Sequence, residues 1–468
     1  MIVNHFFSFL LRPLRLFFLL FMFIVNDKED REMAYDTNPE LQKQVIYSVF
    51  VRNHTQEGTF RAMIPDLDRI KDLGTDIIWF LPIHPIGEVN RKGSLGCPYA
   101  NKDYRSVNPE YGTIEDFKAL VDAIHERGMR CMIDVVYNHT SPDSVLWNEH
   151  PEYFYKKPDG KPGNHVGEWT DVIDLDYNVP ELWDYQVESL KGWAYLVDGF
   201  RCDVASLVPV DFWVRARKEV AEIKPDFVWL AESIHRSFNV MCRRHGMKAA
   251  TDVEAYEAFD IEYEYDLRDA FDAYLDGKGS LAHWMDLLNF QDFAYPKNYN
   301  KLRYLENHDT DRIAPRVKDD ISLRNYTALI FFLKGTTLLY GGQEFAVGHR
   351  PSLFDADKID WDTGKDLSPY ISKLAELKKE TLSPDDIFFA VSDEENGIAV
   401  LTRDDRKDCK IAVFSFKGLE GDSKVDLPDG SYDELISGGK IDVKDGVLHC
   451  GGEPIWISVP SDIVITEV

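Results

Sequence analysis

From residue 44 onward this chain alternates short β-type runs with amphipathic helical stretches, and no other feature limits its fold so tightly. The alternation is that of a parallel sheet whose crossovers are helices. Residues 45–51, 76–81, 130–137, 199–204, 227–231, 259–263, 302–305 and 336–340 read as strands, rich in Val, Ile, Phe and Trp. Strands buried on both faces need such composition. Helical stretches fall between them at 62–73, 114–127, 180–196, 210–223, 266–274, 321–333 and 369–380. In 114–127, Phe117, Leu120, Val121 and Ile124 share one helical face. Eight strands with intervening helices predict an α/β fold, a (β/α)8 TIM barrel rather than an open sheet.

Two segments depart from a plain barrel. Residues 140–179 follow the third strand, are rich in Pro, Gly, Asp, Trp and Tyr, and exceed an ordinary βα loop. They read as a short excursion over the barrel mouth. Its aromatic residues Trp147, Tyr153, Phe154, Tyr155 and Trp169 suit either a small core or sugar-stacking platforms. After about residue 381 the helical period stops, and short alternating runs follow at 398–402, 410–416, 447–450 and 455–459. A C-terminal all-β sandwich is expected there. The division is therefore a lead-in over 1–42, a catalytic barrel over 43–380 and a sandwich over 381–468.

The balance of 53 Lys and Arg against 81 Asp and Glu gives a net charge of −28. Nucleic acid is excluded as a partner, because phosphate contacts need cationic side chains. The six cysteines form no CxxC pair and no metal-ligand spacing, and Cys131 and Cys202 lie inside strand runs, which favours a reducing, cytoplasmic setting. At the N-terminus Arg12 and Arg15 precede an apolar run at 16–25. Two readings stand: translation begins at Met33, or residues 12–25 export or anchor the chain at a membrane.

Chemistry concentrates in four islands: DVVYNH at 134–139, GFRCDVA at 199–205, AESIH at 231–235 and ENHD at 306–309. Each lies at the C-terminal end of a strand run, so a barrel would gather them at one mouth. Together they bring Asp203, Glu232, Asp309, His139, His308 and Arg201. Glycoside hydrolysis needs one carboxyl group to protonate the leaving oxygen and another to attack the sugar or activate water. Arg201, two residues before Asp203, points to the same side of its strand and can hold that acid ionised. Glu232 must stay protonated near neutrality, which burial and acidic neighbours favour. Asp309 can bind hydroxyls of a distorted sugar and stabilise positive charge, and the two histidines can hydrogen-bond sugar hydroxyls.

These islands, in this order, resemble the signature regions of the α-amylase family, glycoside hydrolase family 13. The resemblance implies that Asp203 is the nucleophile, Glu232 the general acid/base and Asp309 the transition-state stabiliser of a retaining reaction. By the same resemblance Arg201, His139 and His308 are substrate-site partners. The segment PYANKDY at 98–104 resembles the stretch after the second strand. There Tyr99 would stack on the reactive sugar, and Asp103 would tie the loop to Arg201 or a neighbour. GGQE at 341–344 resembles the segment after the eighth strand.

Departures bear on the substrate. Ser206 and Leu207 stand where starch-degrading relatives often carry Lys-His, and Ala100 where many oligo-1,6-glucosidases carry Asp. Asn138 matches a position that binds calcium in many relatives, yet the excursion offers no clear carboxylate set for an ion that prefers six to eight oxygens. Asn138 is expected to tether the excursion by hydrogen bonds, with no cofactor and calcium as the alternative. The expected activity is hydrolysis of α-1,4-glucosidic bonds in maltooligosaccharides or starch-derived glucans. An α-glucosidase or a transglycosylase or phosphorylase of the same family is the near alternative. A non-catalytic, membrane-anchored amylase-like partner protein is the alternative of another class.

Overall fold

A computed structural model describes residues 36–167 and 169–464. The apolar leader at 16–25 lies outside the described residues. Eight parallel strands close into a barrel: β1 Val45–Val49, β2 Ile77–Phe80, β3 Arg130–Val135, β4 Gly199–Cys202, β5 Val228–Ala231, β6 Ile261–Tyr263, β7 Lys301–Arg303 and β8 Thr336–Tyr340. Neighbours in sequence are neighbours in the barrel, and β8 closes on β1 with Val45 opposite Thr337 and Ser48 opposite Tyr340. Nearly every residue of these strands is buried, as the apolar runs require.

The ladders stop earlier than the apolar composition. β1 ends at Val49 because Val51 begins the short helix Val51–His54, and β4 ends at Cys202 because Val204 turns left-handed with φ 37°. Phe50 and Val51 beyond β1 are still apolar but leave the ladder for this helix. The first expected helix is broken. Phe60–Met63 and Leu67–Asp72 flank the 3-10 turn Ile64–Asp66, where Pro65 has no N–H to continue an α-helix. The next, Ile114–Glu126, starts in a reciprocal cap between Thr113 and Asp116. Two further helices appear: Arg236–Arg244, which is amphipathic but short, cationic and mostly exposed, and Leu281–Ala294, whose apolar residues lie on several faces and leave no usable period.

The excursion is anchored by an antiparallel ribbon pairing His139–Thr140 with Ile173–Asp174. Tyr153 and Phe154 are buried, and Trp147 meets Phe154 edge-on with centroids 5.2 Å apart, so these three form the small core. Tyr155 stacks on His165, while Trp169 faces the barrel mouth.

The C-terminal region is two four-stranded antiparallel sheets. β9 Ile387–Asp393, β10 Ile398–Asp404, β11 Asp408–Ser415, β12 Gly421–Lys424, β13 Gly430–Asp433, β14 Lys440–Lys444, β15 Val447–Cys450 and β16 Ile455–Pro460 are its strands. One sheet has the order β9-β10-β11-β16, the other β12-β15-β14-β13. Strands β12 to β14 are short, charged and half-exposed, which hid them in sequence. The core of the barrel continues into the first sheet through Phe414, Phe416 and Trp456. The outer edge of β9 is covered by the helix Leu281–Ala294: Asn289 Nδ2 donates to Ala390 O at 2.9 Å, and Ala390 N donates to Asn289 Oδ1 at 2.8 Å. An open strand edge invites pairing with other chains. Among the described residues no helix is long and apolar enough to cross a membrane.

Replacing Asn289 by Ala removes both bonds from this partly exposed edge. The expected cost is about 1–2 kcal/mol, read as a lower urea midpoint with an unchanged slope; an unmoved midpoint would show that the helix does not brace β9.

Candidate active site

The buried centre of the mouth is the Arg201 guanidinium. It projects from β4 and is fully inaccessible to solvent. Its Nη1 donates to Asp134 Oδ1 and Oδ2 at 3.0 and 3.1 Å and to Asp203 Oδ1 at 2.8 Å. Nη2 lies 2.9 Å from Glu232 Oε2, at an angle that makes no hydrogen bond, so this contact acts through charge. The rings of Trp79, Tyr99 and Tyr263 stand 5.3, 5.6 and 5.5 Å from the guanidinium carbon. Their faces favour a cation among them. Asp203 and Glu232, from adjacent strands β4 and β5, therefore converge on one group.

One cation cannot compensate three buried carboxylates, so the cluster must hold protons. Burial raises Glu232 to about 7; Arg201 opposes this, and the charges of Asp203 and Asp309 add to it. Burial also raises Asp203, against the charge and hydrogen bond of Arg201. A further hydrogen bond from the Glu232 side chain lowers Asp203, which within this pair places the shared proton on Glu232. Burial also pushes Asp134 well above the usual carboxylate range, against the charge of Arg201 and the hydrogen bonds of Arg201 and Tyr99. Burial pushes Asp309 upward, but His308, Arg201 and Arg350 outweigh it and bring that acid down to about 2. Asp309 is also the most open of the three acids, 45% exposed at the side chain. The mouth thus holds a proton donor beside two acceptors.

Backbone geometry fixes these groups. Val204 N–H donates to Glu232 Oε2 at 2.8 Å, which the left-handed turn at Val204 makes possible. A β-branched residue rarely adopts that conformation, so the turn stores strain at the site. Asn307 Oδ1 accepts from the N–H groups of Asp309 and Thr310 at 2.9 and 3.0 Å, a turn that presents Asp309. Glu306, the first acid of its island, is structural: it accepts from Arg312 Nη1 at 2.6 Å and from Ile313 N at 2.5 Å.

The remaining sequence candidates fall as follows. Tyr99 OH donates to Asp134 Oδ2 at 2.9 Å and lies 2.7 Å from His308 Nε2, and the two rings stack at 5.4 Å. His308 Nε2 is also 3.0 Å from Asp309 Oδ2. His139 Nε2 lies 4.0 Å from Asp203 Oδ2, and burial keeps its imidazole below the usual histidine pKa and hence neutral. Asp103 does not reach Arg201. It accepts from Arg105 N at 2.9 Å and Ser106 Oγ at 2.5 Å, so it ties its own turn. The fully buried partner of Arg201 is Asp134, both of whose oxygens accept from Nη1; the island contained this residue but its chemistry did not single it out. A charged residue inside the apolar run of β3 was the available signal. Glu344 is buried beneath the seam of β1 and β8, accepting from Tyr47 OH at 2.6 Å and Arg69 Nη1 at 2.5 Å.

Asn138 tethers the excursion through its carbonyl, which accepts from Leu175 N at 3.0 Å, while its Nδ2 lies 3.1 Å from His139 Nδ1. Among the described residues no group of three or more His, Cys, Asp or Glu converges as a metal site.

The site opens into a cavity of about 240 Å³. Tyr99, His139, Asp203, Glu232 and Asp309 line its floor, and Trp169, Lys92, Asp171, Leu353 and Phe354 its walls. Trp169 lies against His139, with centroids 5.5 Å apart. No sequence signal marked Lys92, Asp171, Leu353 or Phe354, since each is an ordinary loop residue brought in by tertiary contact.

Comparison with known proteins gives consistent matches. The family model for the alpha amylase catalytic domain matches residues 35–387, and that for the bacterial alpha amylase C-terminal domain matches 390–457. The crystal structure of an alpha-amylase from Lactobacillus plantarum is 47% identical with a TM-score of 0.87, over 90% of this chain and 100% of that one. That of a noncanonic maltogenic alpha-amylase from Thermotoga neapolitana is 30% identical with a TM-score of 0.80, over 90% and 99%. An alpha-amylase of Haloarcula japonica is 26% identical over 424 residues, which are 86% of this chain; the match spans only 60% of that relative's length.

Arg201→Gln should move the Glu232 carboxyl titration upward from about 7, because the cation that opposes the effect of burial is gone. Infrared or NMR titration of the carboxyl reads this directly. A buried partner removed in this way costs about 3–5 kcal/mol, so the midpoint of unfolding should fall too. A downward move would show that Arg201 does not set the charge balance.

Proposed function

This chain belongs to the alpha-amylase family, and from that premise we propose that it is a retaining glycoside hydrolase cleaving α-1,4-glucosidic bonds in maltooligosaccharides or starch-derived glucans. The observation that carries the reading is the convergence of Asp203 and Glu232 on one buried guanidinium, with burial raising Glu232 to about 7. In the first step Glu232 gives its proton to the glycosidic oxygen while an Asp203 oxygen attacks C1 of the sugar. The C1–O bond to the leaving chain breaks, and a glycosyl ester on Asp203 forms. In the second step Glu232, now a carboxylate, takes a proton from water, whose oxygen attacks C1 and releases Asp203. Both displacements occur at one carbon, so the anomeric configuration is retained.

The other residues act on the sugar and its charge. Asp309 is ionised across the neutral range and sits at the open side, where it can bind ring hydroxyls and stabilise the oxocarbenium-like charge. His139, being neutral, has a donor or acceptor nitrogen for a hydroxyl, and His308 shares that role beside Tyr99. Arg201 holds Asp203 in the orientation of a nucleophile and keeps it ionised. No step needs a cofactor. Six unpaired cysteines support a reducing, cytoplasmic setting.

Glu232→Gln should lower kcat on maltoheptaose by about 10²–10⁴-fold, and Asp203→Asn by at least as much, with unchanged circular dichroism. In the wild type, activity should fall as pH rises through about 7, because Glu232 acts as an acid only while protonated. Near-wild-type turnover in either variant, or an alkaline limb far above that pH, would overturn the roles given. EDTA should leave the rate unchanged; a loss restored by calcium would assign a metal after all.

A further inference from the structure

We propose that a strap formed by residues 88–96 closes the non-reducing side of the cavity, so that the enzyme removes short units from chain ends rather than cutting inside a polymer. The inference rests on the α-1,4-glucan hydrolysis proposed above and adds where on the chain it acts.

The strap leaves the end of β2 and is fastened on both sides. Toward the excursion, Glu88 N donates to Asp143 Oδ2 at 3.1 Å, Asn90 Nδ2 donates to Thr170 O at 3.2 Å, and Lys92 Nζ pairs with Asp171 Oδ1 at 2.9 Å. Toward the loop after β8, Ser94 N and Oγ donate to Asp355 Oδ1 at 2.8 and 2.6 Å, and Leu95 N donates to Phe354 O at 2.9 Å. Arg52 Nη1 joins both loops from below through Gly96 O at 3.1 Å and Leu353 O at 3.0 Å. At Gly93, φ +63°, an added Cβ would sit 2.5 Å from Phe354 Cβ, so the two loops touch backbone to side chain. Three loops are thereby joined into one wall.

Barrel order gives that wall its direction. In a closed ring of eight strands β5 stands opposite β1, and the strap spans the loops of β2 and β8 on either side of β1. Glu232, at the end of β5, must lie beside the leaving oxygen to protonate it. The leaving chain therefore departs toward β5, and the retained glycosyl unit points toward the strap. That unit is the non-reducing part of the substrate. A cavity of about 240 Å³ is smaller than the roughly 300 Å³ at which drug-sized pockets begin. It has room for one or two sugar rings.

The chemistry of the closed end fits a chain terminus. Lys92 and Asp171 both line the cavity, and Asp171 is almost inaccessible at 3% exposure. Together they offer a donor and an acceptor to the free 4- and 6-hydroxyls of a terminal glucose. In an interior residue the 4-oxygen carries the next sugar, which would meet Lys92 and Phe354.

The test compares two maltoheptaosides of equal length, one with a free non-reducing end and one capped there as a 4,6-cyclic acetal. The full-length wild type should cleave the free form with kcat/KM at least about tenfold higher. Lys92→Ala should bring the ratio toward unity through a gain on the capped form, which structural damage would not produce. Lys92→Met serves if the alanine variant does not fold, and Asp171→Asn should raise KM on the free form more than it lowers kcat. Equal cleavage of both forms by the wild type overturns the strap and leaves the hydrolase standing. Cleavage of neither overturns the proposed function itself.

Discussion

A buried deficit of positive charge organises this site. Asp134, Asp203 and Glu232 all approach the guanidinium of Arg201, where water cannot compensate them. The cheapest resolution is to keep a proton in the cluster, and geometry decides where. Asp203 receives a direct hydrogen bond from Nη1, whereas Glu232 meets Nη2 at an angle that gives only charge. Between these two the proton therefore rests on Glu232, raised to about 7, while His308, Arg201 and Arg350 hold Asp309 near 2. Acid, nucleophile and charge stabiliser differ in protonation because of their surroundings, not their side-chain type.

The barrel makes such a cluster possible, because strand ends from distant parts of the chain reach one rim and are fixed by hydrogen bonds on both sides. The rim is then shaped by connections. The excursion after β3, the strap after β2 and the loop after β8 are tied to one another by Lys92–Asp171 and by Leu95 with Phe354. The sandwich stands apart from the chemistry. Its first sheet shares the barrel's core through Phe414 and Trp456, and Asn289 covers its open edge. Packing is its evident part in the molecule.

The residues of the four islands were legible because chemistry at a strand end leaves a local mark: a polar group directly after an apolar run. Other features left none. Val204 is an unremarkable valine in sequence, and only the fold shows its left-handed turn aiming an N–H at Glu232. Asp103 read as tying its loop to Arg201 or a neighbour; its carboxylate holds the neighbours Arg105 and Ser106, and Asp134 holds the guanidinium. Of the excursion's aromatics, burial separated the core residues Tyr153 and Phe154 from Trp169 at the cavity.

The amino-acid sequence by itself determined the eight-strand alternation, the sandwich that follows and the acids that meet at the mouth. These are fixed by periodicity and by residue types at strand ends, which are local properties. Only the tertiary structure decided which carboxyl keeps the proton and how far the cavity extends. Both depend on distances between side chains far apart in the chain, such as Arg201 to Glu232 and Lys92 to Asp171, and on water excluded between them. No local pattern encodes the separation between side chains on neighbouring strand ends and loops.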